Sequence, residues 1–171
     1  MSWRNYFECR WNFQHIRNGE VIFEFKDRKN ILVDEGEKMA VDVLFRKRDS
    51  EYFAGDFFYL GMYKGTVVEA TTLATIPNEP AAAFGYSRVA IERSLVGFPT
   101  LEQDPSDNNW RVVSKEITYT ASGGNIGPVN GAFLGTSSDD TGVLICAVAA
   151  GTERTIIAGD QSKISFKFKA K

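Results

Sequence analysis

The chain has 171 residues, enough for one domain that buries roughly 70% of its unfolded surface without a covalent staple. A formal charge of -2 argues against a general nucleic-acid binder, which carries a basic stripe. No run approaches the ~18 apolar residues of a membrane span, and "MSWRNYFECRW" has no secretory apolar core, so a soluble protein made in a cytoplasm is expected.

Thirteen Phe, six Tyr and three Trp suit a pleated, half-buried surface, and the chain opens accordingly. In "FECRWNF", Phe7, Cys9, Trp11 and Phe13 alternate with Glu8, Arg10 and Asn12, the period of a strand. "EVIFEFKD" puts Val21, Phe23 and Phe25 on one face. A two-residue Asn18-Gly19 turn would oppose Phe13 to Glu24. A three-residue loop, Arg17 to Gly19, opposes Phe13 to Phe23 and Trp11 to Phe25, so that hairpin is expected. "ILVDEGEKMAVDVLFRKR" is the one helix, about 34–47. Asp34 is its cap and Glu37 the capping-box partner, Met39, Ala40, Val43 and Leu44 recur at helical spacing, and Arg46-Lys47-Arg48 complements the dipole.

Beyond the helix the pattern is strand and loop. "DFFYLGMY" is an apolar strand. "TVVEATTLATIPNEPAAAFG", rich in Thr and interrupted by Pro77 and Pro80, is an extended excursion outside the core. "YSRVAIERS" is a strand, "FPTLEQDPSDNN" a polar loop, and "WRVVSKEITYTAS" a strand whose imperfect alternation predicts a bulge. "AFLGTSSDDTGVLICAVAAG" holds two strands about an Asp-Thr-Gly turn, the second apolar on both faces and therefore central. "RTIIAGDQSKISFKFKAK" ends the chain with Ile164, Phe166, Phe168 and Ala170 inward and Lys167, Lys169 and Lys171 on a solvated face. About seven to nine short strands with a single helix predict a mainly β fold, an antiparallel β-sandwich or barrel (jelly-roll-like), in one domain over residues 1–171. Residues 1–28 form an aromatic hairpin available as an interaction arm.

Chemistry-bearing residues are few. Cys9 and Cys146 are too far apart in sequence for a metal cluster and are expected as free, buried thiols. His15 is the only histidine, which excludes a multi-histidine metal site, and it is expected as a capped strand-end residue. "GYSRV" lacks the second glycine of a nucleophile elbow, and "GGNIG" lacks the lysine of a phosphate cradle. Asp139 and Asp140 could join Asp104 or Asp107 around calcium, but the spacing fits a plain hairpin turn better. No cofactor or metal is expected. In "YSRVAIERS", Arg88 and Glu92 share a face about 13 Å apart and Arg93 takes the other, so each needs a partner on another strand or another subunit. Arginine is enriched at interfaces.

"KNILVDEGEKMAVDVLF", "FFYLGMYKG", the Thr/Ala/Pro excursion, "YSRVAIERS", and the closing "NGAFLGTSSDDTGVLICAV" with "RTIIAGDQSKISFKFKAK" together resemble small virion proteins of tailed bacteriophages over residues 29–171. The resemblance implies a β-rich protein without enzymatic activity that is part of the virion. The expected role is a capsid cement or decoration protein, trimeric, binding the major capsid protein or other virion proteins. Its candidate interface residues are Trp3, Tyr6, Phe7, Trp11, Arg88 and Glu92. A tail, neck or fibre/baseplate component is the alternative within that class. A carbohydrate-binding module for host surface glycans is the alternative outside it.

Overall fold

A computed structural model describes residues 7–40 and 55–170 in full and the backbone of 41–45. Within them, two antiparallel sheets and one short helix make up the fold, the arrangement of a β-sandwich. One sheet has the order β2 (Glu20–Lys29), β1 (Phe7–Arg17), β11 (Gln161–Ala170), β7 (Trp110–Val113) and β6 (Thr100–Gln103), with β8 (Ile117–Thr120) also paired to β11. The other has the order β3 (Ile31–Leu32), β10 (Leu144–Ile156), β9 (Ile126–Gly135), β4 (Phe57–Tyr63) and β5 (Val89–Glu92). Helix α1 (Asp34–Phe45) follows β3.

The first hairpin departs from expectation. Arg17 pairs with Glu20 across a two-residue turn, and Asn18 and Gly19 both have positive φ (51° and 82°), as a type I′ turn requires. The aromatic face survives because the register then shifts by one residue between Ile16 and His15, which sets Phe13 opposite Phe25 and His15 opposite Phe23. A second shift occurs near Asp27, whose φ of 55° is held by an N–H bond to Asn12 Oδ1 at 2.8 Å, and it leaves Trp11 opposite Arg28. Phe25 stacks on Phe13 at 5.5 Å and Phe23 meets it edge-on at 6.0 Å.

The hairpin is built into the sheet, with β1 hydrogen-bonded on both sides. Trp11 is fully buried, so its ring packs in the core and offers nothing to a partner. Phe7 is half-buried against Phe168 at 5.5 Å. Trp3 and Tyr6 lie outside the described residues, as do Arg46, Lys47 and Arg48 at the helix end.

The expected bulge in "WRVVSKEITYTAS" divides that segment into β7 and β8. Val113 opposes Lys167 but Ile117 opposes Ile164, a slip of one residue, and Ser114 bridges it by accepting from Phe166 N–H at 3.0 Å. "RTII" continues β10. That strand's central residues, Leu144 to Val148, are all buried, as its two-sided apolar pattern demands.

Two cores result. The larger lies between the sheets and includes Trp11, Leu60, Met62, Tyr119, Ile126, Ile156, Ile164 and Phe166. The second lies on the outer face of the β3–β5 sheet, where Val33, Tyr63, Val67, Leu73, Phe133, Leu144 and Ala147 pack together. Val67 and Leu73 belong to the Thr-rich excursion, which is therefore a covering layer and not a loop outside the core. Gly61 faces Phe133, and Gly131 faces Tyr63, as direct cross-strand partners. Each ring lies over a glycine with no room for a Cβ, which would sit 2.4 Å from the ring in both cases.

Candidate functional site

The excursion returns along "PNEPAAAFGY" to reach β5, and the β9–β10 turn, "TSSDDTG", rises beside it. Between them is an open cleft of about 430 Å³ lined by Glu79, Pro80, Tyr86, Arg88, Asp139 and Asp140. Arg88 is at its centre. Its Nε donates to Glu79 Oε1 at 3.0 Å, and its Nη2 donates at 2.6 Å both to Glu79 Oε2 and to Asp140 Oδ1. Its Nη1 donates to the carbonyl of Asp139. The guanidinium also lies 5.2 Å above the Phe133 ring, at the edge of the second core. Arg88 thus fastens the excursion and the β9–β10 turn to β5 by side chains of one chain.

Around this clasp the charges are internally matched. Tyr86 is buried, stacks on Tyr119 at 5.5 Å, accepts from Met62 N–H at 2.9 Å and donates to Glu79 Oε1 at 2.7 Å. Burial, and after it the neighbouring Tyr119 and Glu79, push its phenol pKa far above the ordinary value. Burial works against the Arg88 charge, but hydrogen bonds to Glu79 and Asp140 outweigh it and its pKa is raised. Asp139 closes its own turn, accepting from Ser137 Oγ at 2.7 Å and Thr141 N–H at 2.9 Å. Those bonds, the Thr141 side chain first, lower its pKa to about 2. A general acid needs the opposite, a carboxyl held protonated near neutral pH. The arrangement grips its own loops.

The remaining charged residues are placed similarly. Glu92 is exposed on the edge strand β5, and the Arg93 guanidinium lies 4.9 Å above the Phe58 ring. Asp104 and Asp107 do not meet Asp139 and Asp140. Asp104 accepts from Arg111 Nη1 at 2.9 Å, and Asp107 from Lys169 Nζ at 2.7 Å. Lys169, expected on a solvated face, is buried beneath that loop. Lys167 is paired with Asp27, and Lys171 lies outside the described residues. Among the described residues no group of three or more His, Cys, Asp or Glu could hold a metal ion.

His15 is more than a strand-end cap. Its Nε2 is 2.7 Å from Asp160 Oδ2, and Arg17 Nη2 donates to the same carboxylate at 2.9 Å. Ser162 is the cross-strand partner of His15. An aspartate, a histidine and a serine therefore meet, but both ring and hydroxyl are buried, and neither His15 Nδ1 nor Ser162 Oγ has a hydrogen-bond partner. A nucleophile needs the base on its hydroxyl and a path for substrate. This cluster provides neither.

The surface feature missed in the sequence is apolar. Leu95 (82% exposed) and Val96 (67%) project from the β5–β6 loop, with Leu101 (68%) and Trp110 (56%) on the β6–β7 hairpin that follows. Leu101 opposes Val112, which opposes Phe168, which opposes core Cys9, so the core-facing row of the sheet runs outward to this exposed edge. Its signal was "SLVGFPTL", whose Leu95 and Val96 fall between the "YSRVAIERS" strand and the expected polar loop "FPTLEQDPSDNN", within which β6 forms.

No family model matches the chain, and no curated protein matches it either. Among the described residues, no helix is long and apolar enough to cross a membrane.

Proposed function

We propose that the protein is a non-enzymatic structural component of a tailed-phage virion, acting by adhesion as a capsid cement or decoration protein. The observation that carries the reading is the exposed set Leu95, Val96, Leu101 and Trp110, gathered in the β5–β6 loop and on the β6–β7 hairpin at the edge of its sheet. An aromatic anchor ringed by polar residues (Glu102, Gln103 and Asn109 here) is how contact surfaces concentrate binding energy. The clasped loops and the doubly covered β3–β5 sheet support a scaffold that keeps its shape when it binds. The partner is the major capsid protein or another virion protein, the chain self-associates as a trimer, and it reaches the virion from the host cytoplasm.

Cosedimentation with capsids, and separately with tails, of the encoding phage tests this. Capsid binding that is lost in a folded Leu101→Asp, Trp110→Asp double variant is expected. A folded monomer that binds neither particle would sink the proposal, and binding to tails alone would move the protein from cement to tail component.

A further inference from the structure

We propose that Cys9 and Cys146 are an oxidisable thiol pair that closes to a disulfide joining the two sheets through the core. Cys9 lies on β1 opposite Phe168, and Cys146 lies on β10 opposite Leu32 of β3 and Leu134 of β9, so the two belong to different sheets. Both are free thiols, almost completely buried, and their Sγ atoms are 3.5 Å apart. A disulfide requires an approach of only about 1.5 Å more, within the reach of small side-chain and backbone adjustments. No other side chain has to be displaced from between them.

The chemistry balances with a peroxide as oxidant. The thiolate of one cysteine attacks a peroxide oxygen, the O–O bond breaks, an S–O bond forms, and the departing hydroxide takes up the thiol's proton as water. The second thiol then attacks the sulfenic sulfur. The S–S bond forms as the S–O bond breaks, and the leaving oxygen departs as water with the second proton. Two electrons pass from the thiols to one hydrogen peroxide, giving two waters. Burial raises the Cys9 pKa well above its ordinary value, and Cys146 pushes it the same way against the weaker influence of Trp11 and Asn30. Cys9 is thus protonated at neutral pH, and cross-linking accelerates as pH rises.

The link would close a loop over most of the chain. It restricts the unfolded state strongly and replaces the weak thiol–thiol hydrogen bond that now joins the sheets at this point with a covalent tie. The inference is independent of the virion reading. The test is hydrogen peroxide treatment of the full chain, followed by intact mass, non-reducing peptide mapping and thermal unfolding. The expected result is a mass lower by two hydrogens, a cross-linked peptide containing Cys9 and Cys146, and a Tm higher by about 5–15 °C that dithiothreitol reverses. The single variants Cys9→Ala and Cys146→Ala should show no upward shift. Peptide mapping of the unaltered chain decides the matter even where a variant folds poorly. Oxygen added to either sulfur without the cross-linked peptide, or a cross-linked protein that melts at or below the reduced one, overturns the inference.

Discussion

Arg88 shows how one side chain can hold segments far apart in sequence. Its guanidinium meets Glu79, Asp140 and the Asp139 carbonyl in nearly buried surroundings, so removing it strands the Glu79 carboxylate against the Tyr86 hydroxyl. Arg88→Ala is expected to cost roughly 3 kcal/mol in urea unfolding, and Arg88→Lys to recover only part of it, because an ammonium cannot make the forked contact. A loss near zero would mean that the clasp is ornamental. Asp160 sets a pH dependence. Hydrogen bonds from Arg17, and after them His15, hold its carboxyl below the ordinary carboxylate range against the opposing effect of burial. A depressed folded pKa gives stability that is fully present above the unfolded carboxylate value and is lost as pH falls through the folded one. Stability should therefore decline below about pH 4, and Asp160→Asn should flatten part of that decline while costing roughly 2 kcal/mol at neutral pH. Equal acid slopes in the two proteins, from urea unfolding at several pH values, would remove Asp160 from the account.

At the scale of elements, helix α1 and the excursion act as one lid over the β3–β5 sheet. The helix begins one residue from the expected cap position. Asp34 N–H donates to the Glu69 carbonyl at 2.9 Å and Glu37 N–H to the Val33 carbonyl at 3.0 Å, so Val33 stands where Asp34 was expected. Gly36 rests on β10, where a Cβ would come 2.0 Å from the Ile145 carbonyl oxygen. Glu35 ties the lid down, accepting from Leu144 N–H at 2.9 Å and Leu73 N–H at 3.4 Å. Leu73 is fully buried beneath this lid, so Leu73→Ala is expected to destabilise by about 2–4 kcal/mol, the range for a core cavity. A cost below about 0.5 kcal/mol would show that the excursion is surface loop after all.

For the whole molecule, the consequence of this lid is a three-layer body with a core on each side of one sheet. The other sheet has a single apolar face, and its outer face is held by ion pairs. Lys163 meets Glu116 at 2.8 Å, Lys167 meets Asp27, and Lys169 meets Asp107. Lys167 and Lys169, expected on a solvated face, are engaged within the chain. Leu101 and Trp110 are exposed where Trp11 is buried, so the adhesive reading draws on them instead of on Trp11.

The alternation of Phe7 to Phe13 and of Ile164 to Phe168, the spacing of the helix, and the doubly apolar "VLICAV" were enough to establish a mainly β sandwich with one helix. Each depends on a period that neighbouring residues carry by themselves. The position of the first turn was also legible, although a three-residue loop was expected where Asn18 and Gly19 alone make it. Its register was not, because the bulges at Ile22 and Asp27 satisfy contacts with β11 and β10 that no local pattern encodes. The same holds for the site. Arg88 was recognisable as a charge in need of a partner, but Glu79 and Asp140 reach it only after the excursion folds over the sheet. Cys9 and Cys146 were read as buried thiols, and only the packing of one sheet on the other brings their sulfurs together. Local periodicity decides which way a side chain points, whereas what it meets is decided by contacts between segments distant in the chain.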